Sequence, residues 1–160
     1  MNPAMRRSLG FFVLAVASVA AVSAAAQLAT FPNLAPWYES LNKPAFNPPN
    51  WIFGPVWTAL YVLMAFAVWR IFRLPPSPER TTAIVLFYAQ LLVNGAWSWM
   101  FFGANNPLLG LANILPQLVV IVATAVAFRR LDRVAGFCLF PLIAWVTFAS
   151  LLNFEIWRLN

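Results

Sequence analysis

Residues 81–128 read TTAIVLFYAQLLVNGAWSWMFFGANNPLLGLANILPQLVVIVATAVAF, 48 positions with no Lys, Arg, Asp or Glu. A helix that crosses a bilayer needs about 20 apolar residues, so this interval holds two. The turn-forming cluster Gly103-Ala104-Asn105-Asn106-Pro107 marks where they part. Three further charge-free intervals flank it, Ser8 to Tyr38, Pro44 to Trp69 and Val134 to Phe154, and each accommodates one span. Composition agrees: 62% of the 160 residues are hydrophobic, 9% are charged and the mean hydropathy is +0.77, far above a water-soluble domain. The expectation is an all-α membrane protein, a five-transmembrane-helix bundle forming a single membrane domain over residues 1–160. Its spans fall at about 9–29, 52–72, 83–102, 108–128 and 134–156, with a long loop at about 31–51.

The basic residues orient this bundle. Arg6 and Arg7 precede the first span, Arg70, Arg73 and Arg80 surround the second connection, and Arg129, Arg130 and Arg133 the fourth. Eight of the ten cations thus fall on one side, leaving Lys43 and Arg158 on the other. The positive-inside rule then predicts a cytoplasmic N-terminus, with the first loop and the C-terminus outside, a topology of the bacterial inner membrane rather than the outer. The net charge of +6 expresses topology, so the expected partner is membrane lipid and not nucleic acid.

The first span has two readings. Arg6-Arg7, an apolar run and Val22-Ser23-Ala24-Ala25-Ala26-Gln27 also resemble a signal peptide with a small-residue cleavage site. The run is long for a signal peptide and fits a span, which makes retention the expectation. Cys138 is the single cysteine and His is absent, so an internal disulfide, a thiolate cluster and the usual imidazole metal or haem ligands are excluded, and no metal site is expected.

The loop beginning at Trp37 distinguishes the chain from a generic bundle. Pro44, Pro48 and Pro49 stiffen it, Trp37, Tyr38, Phe46 and Trp51 give it rings, and it cannot be helical throughout. An interfacial aromatic belt accounts for the rings; a lid over a cavity accounts for the prolines as well. Lys43, the only lysine, is an interfacial anchor or a partner for a ligand carboxylate.

Polar amides recur beside aromatics inside the spans. Phe53, Trp57 and Tyr61 follow an i, i+4, i+8 stripe; Gln90, Asn94, Trp97 and Phe101 share a face, as do Pro141, Trp145, Ala149 and Asn153. Gln90, Asn94, Asn113, Gln117 and Asn153 either bond helix to helix, at roughly 0.6–2 kcal/mol each, or orient a ligand in an apolar pocket lined by flat rings. Such a pocket suits a large planar molecule, since ring stacking adds about 0.5–1.5 kcal/mol beyond burial.

These motifs resemble a known family. Trp37-Tyr38-x-x-Leu41-x-Lys43-Pro44-x-x-x-Pro48-Pro49, Trp57-x-x-Leu60-Tyr61-x-x-Met64, Gln90-Leu91-x-x-Asn94-x-x-Trp97-Ser98-x-x-Phe101-Phe102-Gly103 and Pro141-x-x-x-Trp145, with Leu152-Asn153 and Trp157-Arg158, are similar in order and spacing to the translocator protein family. Its members are also called tryptophan-rich sensory proteins and, in animals, peripheral-type benzodiazepine receptors. The resemblance implies a five-helix bundle, commonly a homodimer, that binds tetrapyrroles such as protoporphyrin IX beneath the first loop, the porphyrin being a ligand and not a cofactor. It implies ligand-binding positions at Trp37, Phe46, Trp57, Asn94, Trp97, Trp145, Ala149 and Asn153. Trp57 and Trp145 match tryptophans tied in some bacterial relatives to light-dependent porphyrin breakdown. The chain departs from the family at Phe46, where many relatives carry Trp, at Asn113, where many carry Asp, and at Phe154, which replaces the Tyr of a sterol motif that is weak in any case.

Three functions remain open. Transport, sensing or regulation by a tetrapyrrole-binding membrane protein leads. Light-dependent porphyrin degradation is the alternative that would make Trp57 and Trp145 catalytic, although no acid–base pair supports ordinary catalysis. A membrane scaffold, packed through the small residues Ala15, Ala17, Ser18, Ala20 and Ala21, is the third.

Overall fold

Three helices start on the same two-residue device, a polar cap followed by proline. Asn2-Pro3, Ser77-Pro78 and Asn106-Pro107 place a side-chain oxygen on the first free amides, accepting from Ala4, from Arg80, and from Leu108 and Leu109 respectively. Proline then fills a position whose N–H has no helical partner. The computed structural model describes residues 2–160. It contains α1 (Pro3–Thr30), α2 (Asn50–Phe72), α3 (Pro78–Ser98), α4 (Pro107–Leu131), α5 (Arg133–Phe137) and α6 (Phe140–Leu159), and no strand among those residues. Five helical stretches, Pro3–Tyr38, Asn50–Phe72, Pro78–Gly103, Pro107–Leu131 and Arg133–Leu159, are long and apolar enough to cross a bilayer. The chain is an all-α membrane protein with five spans.

Element ends differ from the sequence expectation for local reasons. The Asn2 cap starts α1 at Pro3 rather than near Leu9, so Arg6 and Arg7 are helical and exposed. Beyond α1 the chain makes a 3₁₀ turn (Phe31–Asn33) and a wider turn (Leu34–Tyr38), so the first part of the long loop is helical and α2 begins at Asn50. The fifth span is broken between α5 and α6, where Pro141 cannot donate to the preceding turn. The Gly103–Pro107 break is confirmed: Asn105 takes φ 50° and Asn106 caps α4.

The helices form a ring in the order α2, α1, α3, α4, α6. The half toward the arginine-rich end, here the inner end, is filled by Met64, Val68, Ile71, Phe87, Leu91, Ile121, Phe128 and Leu142, all buried. The opposite half holds a smaller aromatic cluster of Tyr38, Phe101 and Phe102 with Leu152 and Ile156. The ring closes at its inner end, where α5 packs on α2 and Arg70 pairs with Asp132 at 2.8 Å. Above that point the α2 and α6 backbones stand apart, and side chains such as Phe53 and Trp145, 5.8 Å between ring centroids, bridge them.

Candidate functional site: an apolar cleft between two helices

The seam between α2 and α6 is open. Ile52, Val56, Ala59, Leu60 and Leu63 from α2 face Pro141, Ala144, Trp145 and Phe148 from α6, and Pro48 of the first loop roofs the outer end. Together they bound a cleft of about 670 Å³, within the roughly 300–1,000 Å³ of small-molecule sites. Every lining side chain is carbon-rich, and only the Trp145 indole carries a polar atom. At the outer end four rings converge: Trp145 meets Phe53 edge-on at 5.8 Å and Phe148 at 5.6 Å, and Phe148 meets Phe46 at 6.3 Å.

The loop is tied down above this ring cluster. Tyr38 donates its hydroxyl to Asn47 Oδ1 at 3.2 Å, while Asn42 N–H donates to Asn160 Oδ1 at 2.9 Å and Asn160 Nδ2 returns a bond to Asn42 O at 3.0 Å. The last residue of the chain therefore holds the loop to the end of α6. Lys43 stays within the loop: its ammonium donates to the carbonyls of Glu39 and Leu41 and sits 4.6 Å from the Tyr38 ring centroid.

The predicted site residues fall into three groups. Trp145 lines the cleft, with Phe46 beside it and half-buried Ala149 one turn on. Trp57 is not among the cleft-lining residues: its ring lies 5.5 Å from that of Tyr61 on the same helix, whose hydroxyl donates to Asn94 Oδ1 on α3 at 3.0 Å. The third group closes the outer bundle. Trp97 stacks on Phe101 at 4.9 Å, Trp37 packs edge-on against Phe101 at 5.5 Å, and Trp97 Nε1 donates to Asn153 Oδ1 at 3.1 Å. Asn153 in turn donates to Pro107 O at 2.7 Å, so its amide joins α3, α4 and α6.

The buried amides are only partly satisfied. Gln90 Nε2 reaches Met64 Sδ at 3.6 Å, but Gln90 Oε1, Asn94 Nδ2 and Asn113 Oδ1 are buried with no hydrogen-bond partner among the described residues. Unpaired buried polar atoms cost about 1–3 kcal/mol each.

Sequence reasoning missed most of the cleft wall, namely Ile52, Val56, Ala59, Leu63, Ala144 and Phe148. The available signal was the pair of facing stripes, Ile52, Val56 and Ala59 on one helix and Pro141, Trp145 and Phe148 on the other. Small and ring-bearing residues there leave a gap that two Leu-rich faces would fill.

The TspO/MBR family model matches residues 12–158. A tryptophan-rich protein TspO of Chlorobaculum tepidum is 43% identical over 131 residues, covering 81% of this chain and 83% of the relative. A tryptophan-rich sensory protein of Cereibacter sphaeroides is 41% identical over 124 residues, 78% of this chain and 77% of the relative. The translocator protein of Homo sapiens is 35% identical over 126 residues, 78% and 75%.

Proposed function

The chain belongs to the TspO/MBR family, and from that premise we infer that it is a membrane protein that binds tetrapyrroles and similar flat lipophilic molecules in their sensing, transport or regulation. The observation that carries this reading is the α2/α6 cleft, headed by Trp145 and Phe148 beneath a tethered loop. A planar macrocycle lies against those rings with its edge toward Ala149, and the apolar wall along Ile52 and Val56 takes its other face. Stacking supplies about 0.5–1.5 kcal/mol per ring pair above simple burial. The name of the Cereibacter relative supports a sensory role.

Location and assembly belong to the same reading. The protein sits in an inner membrane with its N-terminus in the cytoplasm, since the structure gathers Arg6, Arg7, Arg70, Arg73, Arg80, Arg129, Arg130 and Arg133 around one end of the bundle. It pairs with a second copy through α1, whose exposed Ala17, Ala20, Ala21 and Ala24 allow close helix approach.

Protoporphyrin IX titrated into the purified protein, followed by tryptophan quenching, tests the site. Saturable binding is expected in the wild type. Trp145→Ala weakens it by about tenfold, the equivalent of 1.4 kcal/mol, and Trp157→Ala, exposed at the outer end of α6, leaves it unchanged. Equal affinities for the two variants would place the ligand elsewhere.

A further inference from the structure

The cleft reaches well beyond the ring cluster that heads it. From Pro48 and Ile52 it continues along α2 to Leu63, and on α6 from Phe148 back to Pro141. Between Ile52 and Leu63 that is about 16 Å of helix at 1.5 Å per residue, roughly half of a 30 Å hydrocarbon layer. The two halves differ in character. The outer half has the aromatic rings; the half toward the bilayer centre is bounded by Ala59, Leu63, Ala144 and Pro141, two of them alanines that are exposed and project little bulk.

The polar contacts that fasten the seam lie at its two ends. At the inner end Arg70 Nε donates to Asp132 Oδ2 at 2.9 Å, and α5 packs on α2. At the outer end the reciprocal bonds between Asn42 and Asn160 and the contact of Phe46 with Phe148 hold the loop to α6. The aqueous approach to the ring cluster is thus covered by hydrogen-bonded loop, whereas the lateral approach meets apolar side chains on two helices whose backbones stand apart.

We propose that the α2/α6 seam is the ligand's entrance, opening on the bilayer at the level of Ala59 and Ala144, and that the protein takes its ligand from the hydrocarbon rather than from water through the loop. This rests on the binding reading above. A molecule already dissolved in the membrane crosses no polar barrier on this path, and closing or opening requires only that two loosely packed helices move, while the fastened ends keep the bundle intact. The chemical class admitted is therefore a planar molecule that partitions into lipid with its charged groups, where it has any, trailing toward the outer surface.

Transfer kinetics test this. Protein reconstituted in lipid vesicles is mixed with vesicles preloaded with protoporphyrin IX, and tryptophan quenching gives the rates of arrival and departure. Ala59→Trp and Ala144→Trp each fill the entrance from an exposed position, where an added ring causes no core strain. Both alanines also line the cleft, so the quantity read is the arrival rate rather than Kd, and each substitution is expected to slow arrival by about tenfold. In a Cys138→Ala background, Asn42→Cys and Asn160→Cys joined by a short thiol crosslinker fix the loop to α6, and the rates are expected to match the uncrosslinked protein. Slowing by the crosslink but not by the two tryptophans would overturn the proposal in favour of entry through the loop. Weaker Kd with unchanged arrival in both tryptophan variants would overturn it too, making the inner half part of the seat. Absence of saturable binding by the wild type would instead defeat the binding reading, and this inference with it.

Discussion

Trp97 donates its indole N–H to Asn153 Oδ1 at 3.1 Å, and Asn153, 2% exposed, sends its own Nδ2 to Pro107 O at 2.7 Å. One amide thereby fixes α3, the first turn of α4 and α6. Hydrogen bonds inside membranes contribute roughly 0.6–2 kcal/mol each, and Asn153→Ala leaves two partners unpaired. The expected loss is about 2–3 kcal/mol, read as a lower Tm in detergent. A Tm equal to wild type would mean that the three helices are held by packing alone.

How much of this was legible in the sequence depends on the kind of question. The spans follow from charge-free length, and the α3–α4 break from Gly103 to Pro107, because both are local. The cleft is not local: it arises where the α2 and α6 backbones stand apart, and periodicity gives a helix its faces without giving each face its neighbour. Phe53, Trp57 and Tyr61 illustrate this. At 100° per residue their i, i+8 ends are about 80° apart around the helix, enough for Phe53 to meet Trp145 on α6 while Tyr61 bonds Asn94 on α3. A stripe that reads as one face serves two neighbours.

Charged side chains show the same division. Glu155 and Arg158 pair at 2.6 Å, as their i, i+3 spacing predicts. Asp132, flanked in sequence by Arg129, Arg130 and Arg133, joins Arg70 from another helix and caps α5 by accepting from Ala135 N–H at 3.0 Å.

That ion pair sets an acid limit on stability. Burial pushes the Asp132 carboxyl up, but the Arg70 hydrogen bond, the amides of Ala135 and Val134 and the Arg70 charge outweigh it, holding the group below its ordinary 3.8. A carboxyl with a lowered folded pKa stabilises fully above the unfolded value, and the stabilisation is lost as pH falls through the folded value. Stability measured against pH is thus expected to drop below 3.8 in the wild type and to drop less steeply there in Asp132→Asn, which retains a helix-capping side chain. Parallel acid limbs would show that this pair does not set the limit.

Two glycine substitutions separate close packing from open surface. A Cβ on Gly136 would stand 2.6 Å from Arg129 Cα and 2.8 Å from Arg129 N, backbone atoms that cannot yield without moving α4. Gly136→Ala is expected to cost about 1–3 kcal/mol or more. Gly10 on α1 has nothing within 4 Å of such an atom, so Gly10→Ala is neutral or stabilising by up to about 1 kcal/mol, alanine being the better helix former. Equal Tm values for the two variants would refute the close α4–α5 approach.

The charge arrangement at the outer end predicts what part of a ligand the protein reads. Two cations lie there: Arg158 is paired with Glu155, and Lys43 donates to two loop carbonyls and caps the Tyr38 ring. An anionic propionate gains little by displacing such contacts, because exposed ion pairs contribute only about 0–1 kcal/mol, whereas the cleft itself offers hydrocarbon and aromatic surface alone. Affinity should therefore follow the macrocycle and not its acids. Protoporphyrin IX dimethyl ester is expected to bind within about threefold of the free diacid or more tightly, and Lys43→Gln to leave both affinities unchanged within the same factor, less than 0.7 kcal/mol. A tenfold preference for the diacid that disappears in Lys43→Gln would show instead that the loop lysine leaves its carbonyls to hold the ligand.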